Sequence, residues 1–299
     1  MKLLLPVFTL WAFIFQQNAC AQTRSENADP EIQAYWSDGL AELSKFDLTQ
    51  YRYGEARQGE LIHVFVAEDF LVDKQVKNES YTNDNSTRVL KRIETRNFNT
   101  GIYTYNVYAS SFTAFNQSKH PHTLKISASS QEWCGVSYSQ LNRKNNGYDY
   151  ILHSYFEDEA DTKSFIKDGI SEEELFSRIR LSPDKLPEGN FKSIPSQIYS
   201  RFMHLPASSY RSTGKVERYT GNEFEGEDLL RYTVNTPSLN RSIEIFFEKK
   251  SPHIIVGWTE TDTRSNNKTV ARLTHQIKEA YWQLNGNDAA KWRTKLGLD

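Results

Sequence analysis

The sequence predicts a mainly β, β-rich α+β fold, built as a large curved antiparallel sheet or a partly open barrel with a few flanking helices. Aromatic residues make up 13% of the chain against two methionines, which favours strands. Several segments alternate in polarity with a period of two, and no segment shows the βαβ alternation of a parallel sheet. We expect a single β-rich domain over residues 22–299, or two halves of it at about 30–168 and 190–299.

Strands are predicted in two groups. The first group contains five alternating segments, at 60–69, 87–98, 101–115, 122–130 and 133–141, and ends in a hairpin at 145–156 that opens with Asn-Gly turn chemistry. The second group contains three segments, at 215–236, 241–250 and 253–262. Turn residues separate the strands within each group, as in antiparallel sheets.

Helices are expected between and around these groups. Ser171, with Glu174 three residues later, forms a capping-box pattern at the start of a short helix over 170–181. A first helix is predicted near 30–44, with Pro30 at its start. Apolar residues at helical spacing predict a helix near the C-terminus, and a second short helix follows over 286–296. The helical spacing involves Val270, Leu273, Ile277, Ala280 and Leu284.

Residues 1–21 have the features of a secretory signal peptide. Leu3–Phe15 is almost wholly apolar but too short to cross a membrane, and a small-x-small site ends at Ala21. Gln17 stands where lipoprotein signals usually carry an aliphatic residue, so we favour cleavage after Ala21 and soluble export to the periplasm. If Cys20 is lipidated instead, the protein is an outer-membrane lipoprotein.

Charge and hydropathy exclude two classes of partner. The net charge of −2 gives no electrostatic footprint for nucleic acid. After the signal peptide no apolar run is long enough to cross a bilayer, so no transmembrane segment is expected in the mature chain.

Several longer phrases resemble one family. They include YWSDGLAELSKFDLTQYRYGE, RNFNTGIYTYNVYASSF, SSQEWCGVSYSQLN and IEIFFEKKSPHIIVGWTE, and together they cover about Tyr35 to Leu296. They are similar to an uncharacterised exported family of flavobacteria and other Bacteroidota, which often carries the label "septum formation inhibitor Maf". The resemblance implies export to the cell envelope but no known activity.

The chemistry of that label does not fit these residues. True Maf proteins are cytoplasmic nucleotide pyrophosphatases with a Ser-x-Ser-Pro-Arg-Arg stretch near the N-terminus. In this chain the Ser-Pro pairs lie at Ser182 and Ser251, and neither is followed by paired arginines. We therefore reject nucleotide pyrophosphatase activity.

Cys134 is the cysteine that remains after removal of residues 1–21. A cysteine nucleophile needs a base within hydrogen-bond reach. Depending on the position of the hairpin turn, His153 lies opposite Gln140 or Tyr138, at least four residues along the strand from Cys134. We therefore expect a buried, structural cysteine without a neighbouring histidine, and we predict no catalytic residue and no cofactor.

Two other groups are candidates for binding. Glu157, Asp158, Glu159 and Asp161 are a candidate hard-cation site, although a solvated loop is the simpler interpretation. Four aromatic residues are candidates to line a ligand cavity, and cross-strand packing is the alternative. These aromatics are Tyr103, Tyr105, Tyr108 and Phe112.

Three functions remain open at this point. The first is a non-enzymatic envelope protein whose partner is an apolar ligand or an envelope protein, for which we expect a dry concave pocket of several hundred Å³. The second is an envelope hydrolase that uses Cys134 or the acidic stretch at 157–161. The third is an envelope scaffold, which should expose an apolar patch without a pocket.

Overall fold

The structure, a computed structural model, describes residues 29–298. The predicted signal peptide and Cys20 lie outside these residues. Within them, sixteen strands form one sheet. The first nine are β1 (Ala41–Arg52), β2 (Glu55–Leu71), β3 (Val76–Lys77), β4 (Ser86–Thr100), β5 (Tyr103–Ala114), β6 (Lys125–Glu132), β7 (Gly135–Lys144), β8 (Gly147–Ser154) and β9 (Asp161–Lys167). The other seven are β10 (Ile170–Ser171), β11 (Gly189–Ile194), β12 (Tyr210–Arg218), β13 (Leu229–Thr236), β14 (Arg241–Glu248), β15 (Ile255–Asp262) and β16 (Lys268–Glu279).

The sheet is open and almost wholly antiparallel, so the predicted fold class is confirmed. Its order runs β10-β11-β12-β13-β14-β15-β16-β1-β2-β4-β5-β6-β7-β8-β9, with β3 added beside β2, and only β10 and β11 pair in parallel. Pairing of β16 with β1 joins the two groups of strands into one sheet. Curvature brings the two edges close together, because Ile194 on β11 packs in the same cluster as Ile166 on β9.

Four short α-helices accompany the sheet in the described part of the chain. They are α1 (Pro30–Tyr35), α2 (Glu172–Leu181), α3 (Gln197–Phe202) and α4 (Lys291–Lys295). Single 3₁₀ turns lie at Pro183–Lys185, Pro237–Leu239, Tyr281–Gln283 and Asn287–Ala290. None of the helices within residues 29–298 is long and apolar enough to cross a bilayer.

Helix α2 fills the concave face of the sheet. All ten of its residues are buried, and Leu175, Phe176 and Ile179 join the main core with inward-facing strand residues. The predicted N-cap is present, since the Ser171 hydroxyl accepts a hydrogen bond from the Glu174 backbone N–H at 3.1 Å. In a full capping box the Glu174 carboxylate would also accept a hydrogen bond from the Ser171 N–H. Here it accepts one from the Thr123 N–H at 2.8 Å instead.

The predicted helix over Val270–Leu284 is wrong, because its first ten residues lie in β16. The register of β1 with β16 shifts at this point: Lys45 faces His275 and Phe46 faces Leu273. Thr274 is therefore the extra residue of a β-bulge, and a bulge interrupts the period of two. Apolar residues on both faces of a bulged strand produced a spacing that imitates a helix.

The first helix is shorter than predicted. It ends at Tyr35, Gly39 adopts a positive φ of 77°, and β1 starts at Ala41. From Glu42 onward every second residue of β1 faces inward up to Gln50, which gives a strand rather than the second half of a helix.

Candidate functional site

The concave face has a floor of small side chains beneath α3. Strand alternation points every second residue inward, and on β6 and β7 these residues are Ala128, Ser130, Ser137 and Ser139. All four are buried. Because small residues leave room above the sheet, the space over this part of the face is closed by a helix rather than by the strands' own side chains.

The sequence around α3 explains why a short helix forms there. Pro195 precedes the cap, and the Ser196 hydroxyl accepts a hydrogen bond from the Tyr199 N–H at 3.0 Å. Ile198 and Phe202 lie four residues apart, on one face of the helix, and both are buried. This apolar face rests on the sheet, with the Phe202 ring against an aromatic pair on β4 and β5.

A few polar contacts hold α3 in place. At its start, the Ser196 N–H donates to Glu172 at 2.9 Å and the Gln197 N–H donates to Glu173 at 2.6 Å. At its end, the Arg201 Nε donates to the Ser137 hydroxyl at 2.9 Å, and the Phe202 carbonyl accepts from Arg52 at 2.6 Å. The start of α3 is thus capped by the acidic first turn of α2.

The cavity between α3 and its floor is small. Its free volume is about 20 Å³, and a second cavity beneath the first turn of α2 has the same volume. A single water needs about 10–15 Å³ by this measure. Neither cavity holds a lipid-sized molecule, so the pocket of several hundred Å³ expected for a carrier is absent from the described residues.

A buried network of charges lies beneath α2. Arg96 donates to Glu94 at 2.5 Å and to Glu260 at 2.8 Å, and Arg241 joins Glu260 to Glu172 at 3.0 and 2.9 Å. Burial opposes ionisation of Glu260, yet Arg96 and Arg241 outweigh it and lower its pKa to about 2. The network therefore carries full charges that are compensated within the protein.

His63 is part of this network but is not poised as a base. Its ring is fully buried, stacks on Trp258 with centroids 4.8 Å apart, and hydrogen-bonds Glu94 at 3.1 Å. Burial, together with the neighbouring Arg92, lowers the pKa of His63 to about 3. The ring is therefore neutral at physiological pH, and it serves as a flat packing surface.

Glu173 is the exception in this region. Its carboxyl is buried and bonded through one oxygen to the Gln197 N–H, while the other oxygen has no hydrogen-bond partner. Burial, reinforced by the charge of Glu172, raises the pKa of Glu173 to about 7. This group lines the second cavity and joins the first turn of α2 to the start of α3.

The expectation that Cys134 is buried is wrong. Cys134 is exposed in the turn between β6 and β7, and its N–H donates to the Glu132 carboxylate at 2.6 Å. A turn at Asn145-Asn146 sets the hairpin register, which pairs His153 with Tyr138, one of the two registers considered. The hydrogen bond and charge of Glu132 raise the thiol pKa, which is the opposite of what a nucleophile requires.

The acidic stretch does not form a cluster of carboxylates. Glu159 accepts from His204 at 2.6 Å, and Asp161 pairs with His153 at 3.1 Å, while Glu157 and Asp158 are exposed. Between residues 29 and 298 no three His, Cys, Asp or Glu side chains are arranged to hold a metal ion. The proposed cation site therefore has no support, although Glu159 itself lies at the α3 cavity.

The aromatic candidates divide between the two faces of β5. Tyr103 and Tyr105 face the core, where Tyr105 stacks on Phe98 at 5.0 Å. Tyr108 is exposed, and Phe112 packs on the outer face against Phe70 at 5.2 Å. The four side chains therefore do not line one cavity, and cross-strand packing accounts for Tyr105 and Phe112.

The residues that do line the α3 cavity were not singled out from the sequence. Its walls come mainly from small inward residues of β6 and β7 and from Ile198 and Arg201 of α3. The available signal was the run of alternating Ala and Ser in KISASSQE and GVSYSQ. Such small residues on a strand mark a face that something else must cover.

Comparison of the whole chain with protein-family models, with curated proteins and with solved structures finds no match.

Proposed function

We propose that the protein is an exported, non-enzymatic cell-envelope protein that binds an apolar ligand in the concave face beneath α3. The observation that carries this proposal is the floor of small side chains, covered by a six-residue helix. Because the cavity beneath α3 is only about 20 Å³, the proposal requires α3 to move away, which would give a ligand the space of Ile198 and Phe202. Periplasmic location, and membership of the exported family that the sequence resembles, are parts of the same proposal.

The lining indicates that this mainly apolar ligand also has one polar end. Val107, Ile198 and Leu205 supply apolar surface, and Arg201 and Glu159 supply charge on the same cavity. Binding pockets combine a mostly apolar wall with a few polar groups that fix orientation. A ligand with an apolar body and one polar end fits this arrangement.

Catalysis is disfavoured by the same geometry. The thiol of Cys134 has a raised pKa, and Glu132 rather than a base is its neighbour. The carboxylates of the acidic stretch pair with histidines or face solvent. We therefore place the chemistry of this protein in binding rather than in hydrolysis.

Native mass spectrometry of the protein purified from its host's envelope fraction tests the proposal. The wild type should carry a bound small molecule, and Ala128→Phe should lose it because the new ring fills the floor beneath α3. Ser127→Phe is the matched control, since the adjacent residue on β6 points to the other face. The proposal fails if the wild type carries no ligand or if Ala128→Phe retains it while Ser127→Phe does not.

A further inference from the structure

Exposed apolar side chains are concentrated at one end of the sheet. The turns β1–β2, β4–β5, β6–β7 and β8–β9 all lie at this end, because the strands between them are antiparallel neighbours. Six exposed residues on or beside these turns and at the end of α3 form what we call the aromatic rim. They are Tyr53, Ile102, Trp133, Val136, Tyr155 and Met203, with exposed fractions from 48% for Met203 to 87% for Ile102.

Part of the rim is linked by direct contacts. The hydroxyl of Tyr53 hydrogen-bonds that of Tyr105 at 2.8 Å. The Tyr103 ring lies 5.8 Å from the Tyr105 ring and 6.1 Å from the Trp133 ring. These contacts hold Tyr53 and Trp133 in one row, which is a patch rather than scattered exposed residues.

The next turn continues the row. Tyr155 lies against Gly135, where an added Cβ would come within 3.0 Å of the Tyr155 side chain. Gly135 therefore leaves the space that the exposed tyrosine occupies beside the β6–β7 turn. Four hairpins thus present exposed apolar side chains at the same end of the sheet.

The charges at this end indicate what the rim can contact. The turn segments 52–55, 100–103, 132–135 and 154–161, with the end of α3 at 201–204, contain two arginines and six carboxylates, so this end carries a net negative charge. The arginines are Arg52 and Arg201, and the carboxylates are Glu55, Glu132, Glu157, Asp158, Glu159 and Asp161. A surface with net negative charge is repelled by such a rim, whereas a zwitterionic one is not.

We propose that the aromatic rim docks on a zwitterionic lipid surface. Tryptophan and tyrosine are the side chains that membrane interfaces favour, because an apolar ring and a polar edge suit the headgroup layer. Side chains on separate turns can insert between headgroups, while a protein interface needs a broader complementary patch. The proposal rests on the rim alone and not on the ligand beneath α3, although Met203 connects the rim to that helix.

Binding to vesicles tests the docking surface. The wild type should co-sediment with phosphatidylcholine vesicles, and addition of phosphatidylglycerol should not strengthen binding. Replacing Trp133 and Tyr155 by serine should weaken binding about tenfold or more, which corresponds to about 1.4 kcal/mol. Trp282→Ser is the matched control, because Trp282 is 45% exposed and follows β16. The last residue of β16, Glu279, pairs with Ala41 at the start of β1, so Trp282 lies at the end of the sheet opposite the rim.

Several outcomes would overturn the proposal. They are absence of binding to phosphatidylcholine, binding that requires phosphatidylglycerol, an equal loss in Trp282→Ser, or a rim-dependent dimer or protein complex without vesicle binding. Ala128→Phe separates the two proposals, since it should abolish ligand retention and leave intact the vesicle binding that depends on Trp133 and Tyr155. If the wild type carries no ligand but still binds vesicles, the ligand site is refuted and the docking surface is retained.

Discussion

Helices α2 and α3 lie on the same concave face, yet they are attached in different ways. All ten residues of α2 are buried, over bulky side chains such as Phe46, His63 and Trp258, and its charged side chains pair with strand residues. Helix α3 has six residues, three of them buried: Ile198 lies over the floor of alanine and serine, and Phe202 packs on the aromatic pair of β4 and β5. One sheet thus presents large inward residues under α2 and mainly small ones under α3, which we propose to be the movable one of the two helices.

The attachments of α2 are of the kind that is costly to break. Arg180 is fully buried, pairs with Glu42 and lies over the Trp36 ring. Removing one partner of a buried pair leaves an uncompensated charge, which costs about 3–5 kcal/mol. The hydrogen bonds of α3 involve mainly its backbone groups at its two ends, while Tyr199 contacts Arg241 and Phe202 packs on an aromatic pair. We expect its local opening to cost less than that of α2.

The largest effect is expected for Arg180→Met. The free energy of unfolding should fall by about 3–5 kcal/mol, because Glu42 is left buried without its cation. Chemical denaturation measures this, with Arg231→Met as the control: Arg231 pairs with Glu244 at 3.0 Å, is 34% exposed, and should contribute less than about 1 kcal/mol. Equal effects of the two substitutions would show that α2 is not fixed by its buried charges.

The second prediction concerns the pH dependence of stability, which Glu173 affects at the junction of α2 and α3. The pKa of Glu173 is about 7 in the folded protein against an ordinary value of 4.5, so the folded state keeps a proton that the unfolded state has released. The contribution of Glu173 to stability should therefore fall as pH rises from about 4.5 to about 7, by up to about 3 kcal/mol, and then level off, while the neutral His63 contributes in the opposite direction over the same range.

Glu173→Gln isolates the contribution of Glu173 to the pH dependence of stability. The amide keeps an oxygen for the Gln197 N–H and cannot ionise, so the variant should match the wild type near pH 4.5 and be more stable at pH 8. Denaturation curves across this pH range for both proteins provide the measurement. An identical pH dependence in the two proteins would contradict the assignment to Glu173.

A smaller effect distinguishes the caps of the two helices. Ser196→Ala removes the side chain that caps α3 and should cost about 1 kcal/mol, increasing amide exchange in α3 about fivefold without changing α2. Ser171→Ala removes the equivalent cap of α2, and it should lower global stability by a similar amount. A global loss of stability in Ser196→Ala would show that α3 unfolds only with the whole protein.

The smallest effect is expected on the labelling rate of the Cys134 thiol. The exposed thiol should react readily with a labelling reagent in the native protein. Glu132→Gln should lower the thiol pKa and speed labelling severalfold at pH 8, since Glu132 is the main cause of the raised value. Glu157→Gln, which alters an exposed carboxylate in the next loop, should leave the rate unchanged.

The sequence was informative where the signal is local. Alternation predicted the antiparallel sheet, and the Ser171 cap predicted the start of α2. Both depend on neighbouring residues, so one segment is enough to recognise them.

The sequence was uninformative where a structural feature depends on a contact between residues that are distant in the chain. The bulge at Thr274 appears only when β16 is paired with β1. The burial of Arg180 and Glu42 depends on a contact across 138 residues, and charged side chains are normally expected outside. The α3 cavity was missed for the same reason, because alanine and serine on a strand show nothing until their cover is seen.

Hydrogen exchange measured by mass spectrometry tests the central claim, that α3 is a movable cover and α2 is fixed. Peptides spanning residues 196–205 and 172–182 should be compared in the native protein at increasing, sub-denaturing urea concentrations. We expect α3 amides to exchange through a local opening that depends little on urea, and α2 amides to exchange only with global unfolding. Exchange of both helices together, at the free energy of global unfolding, would contradict the account.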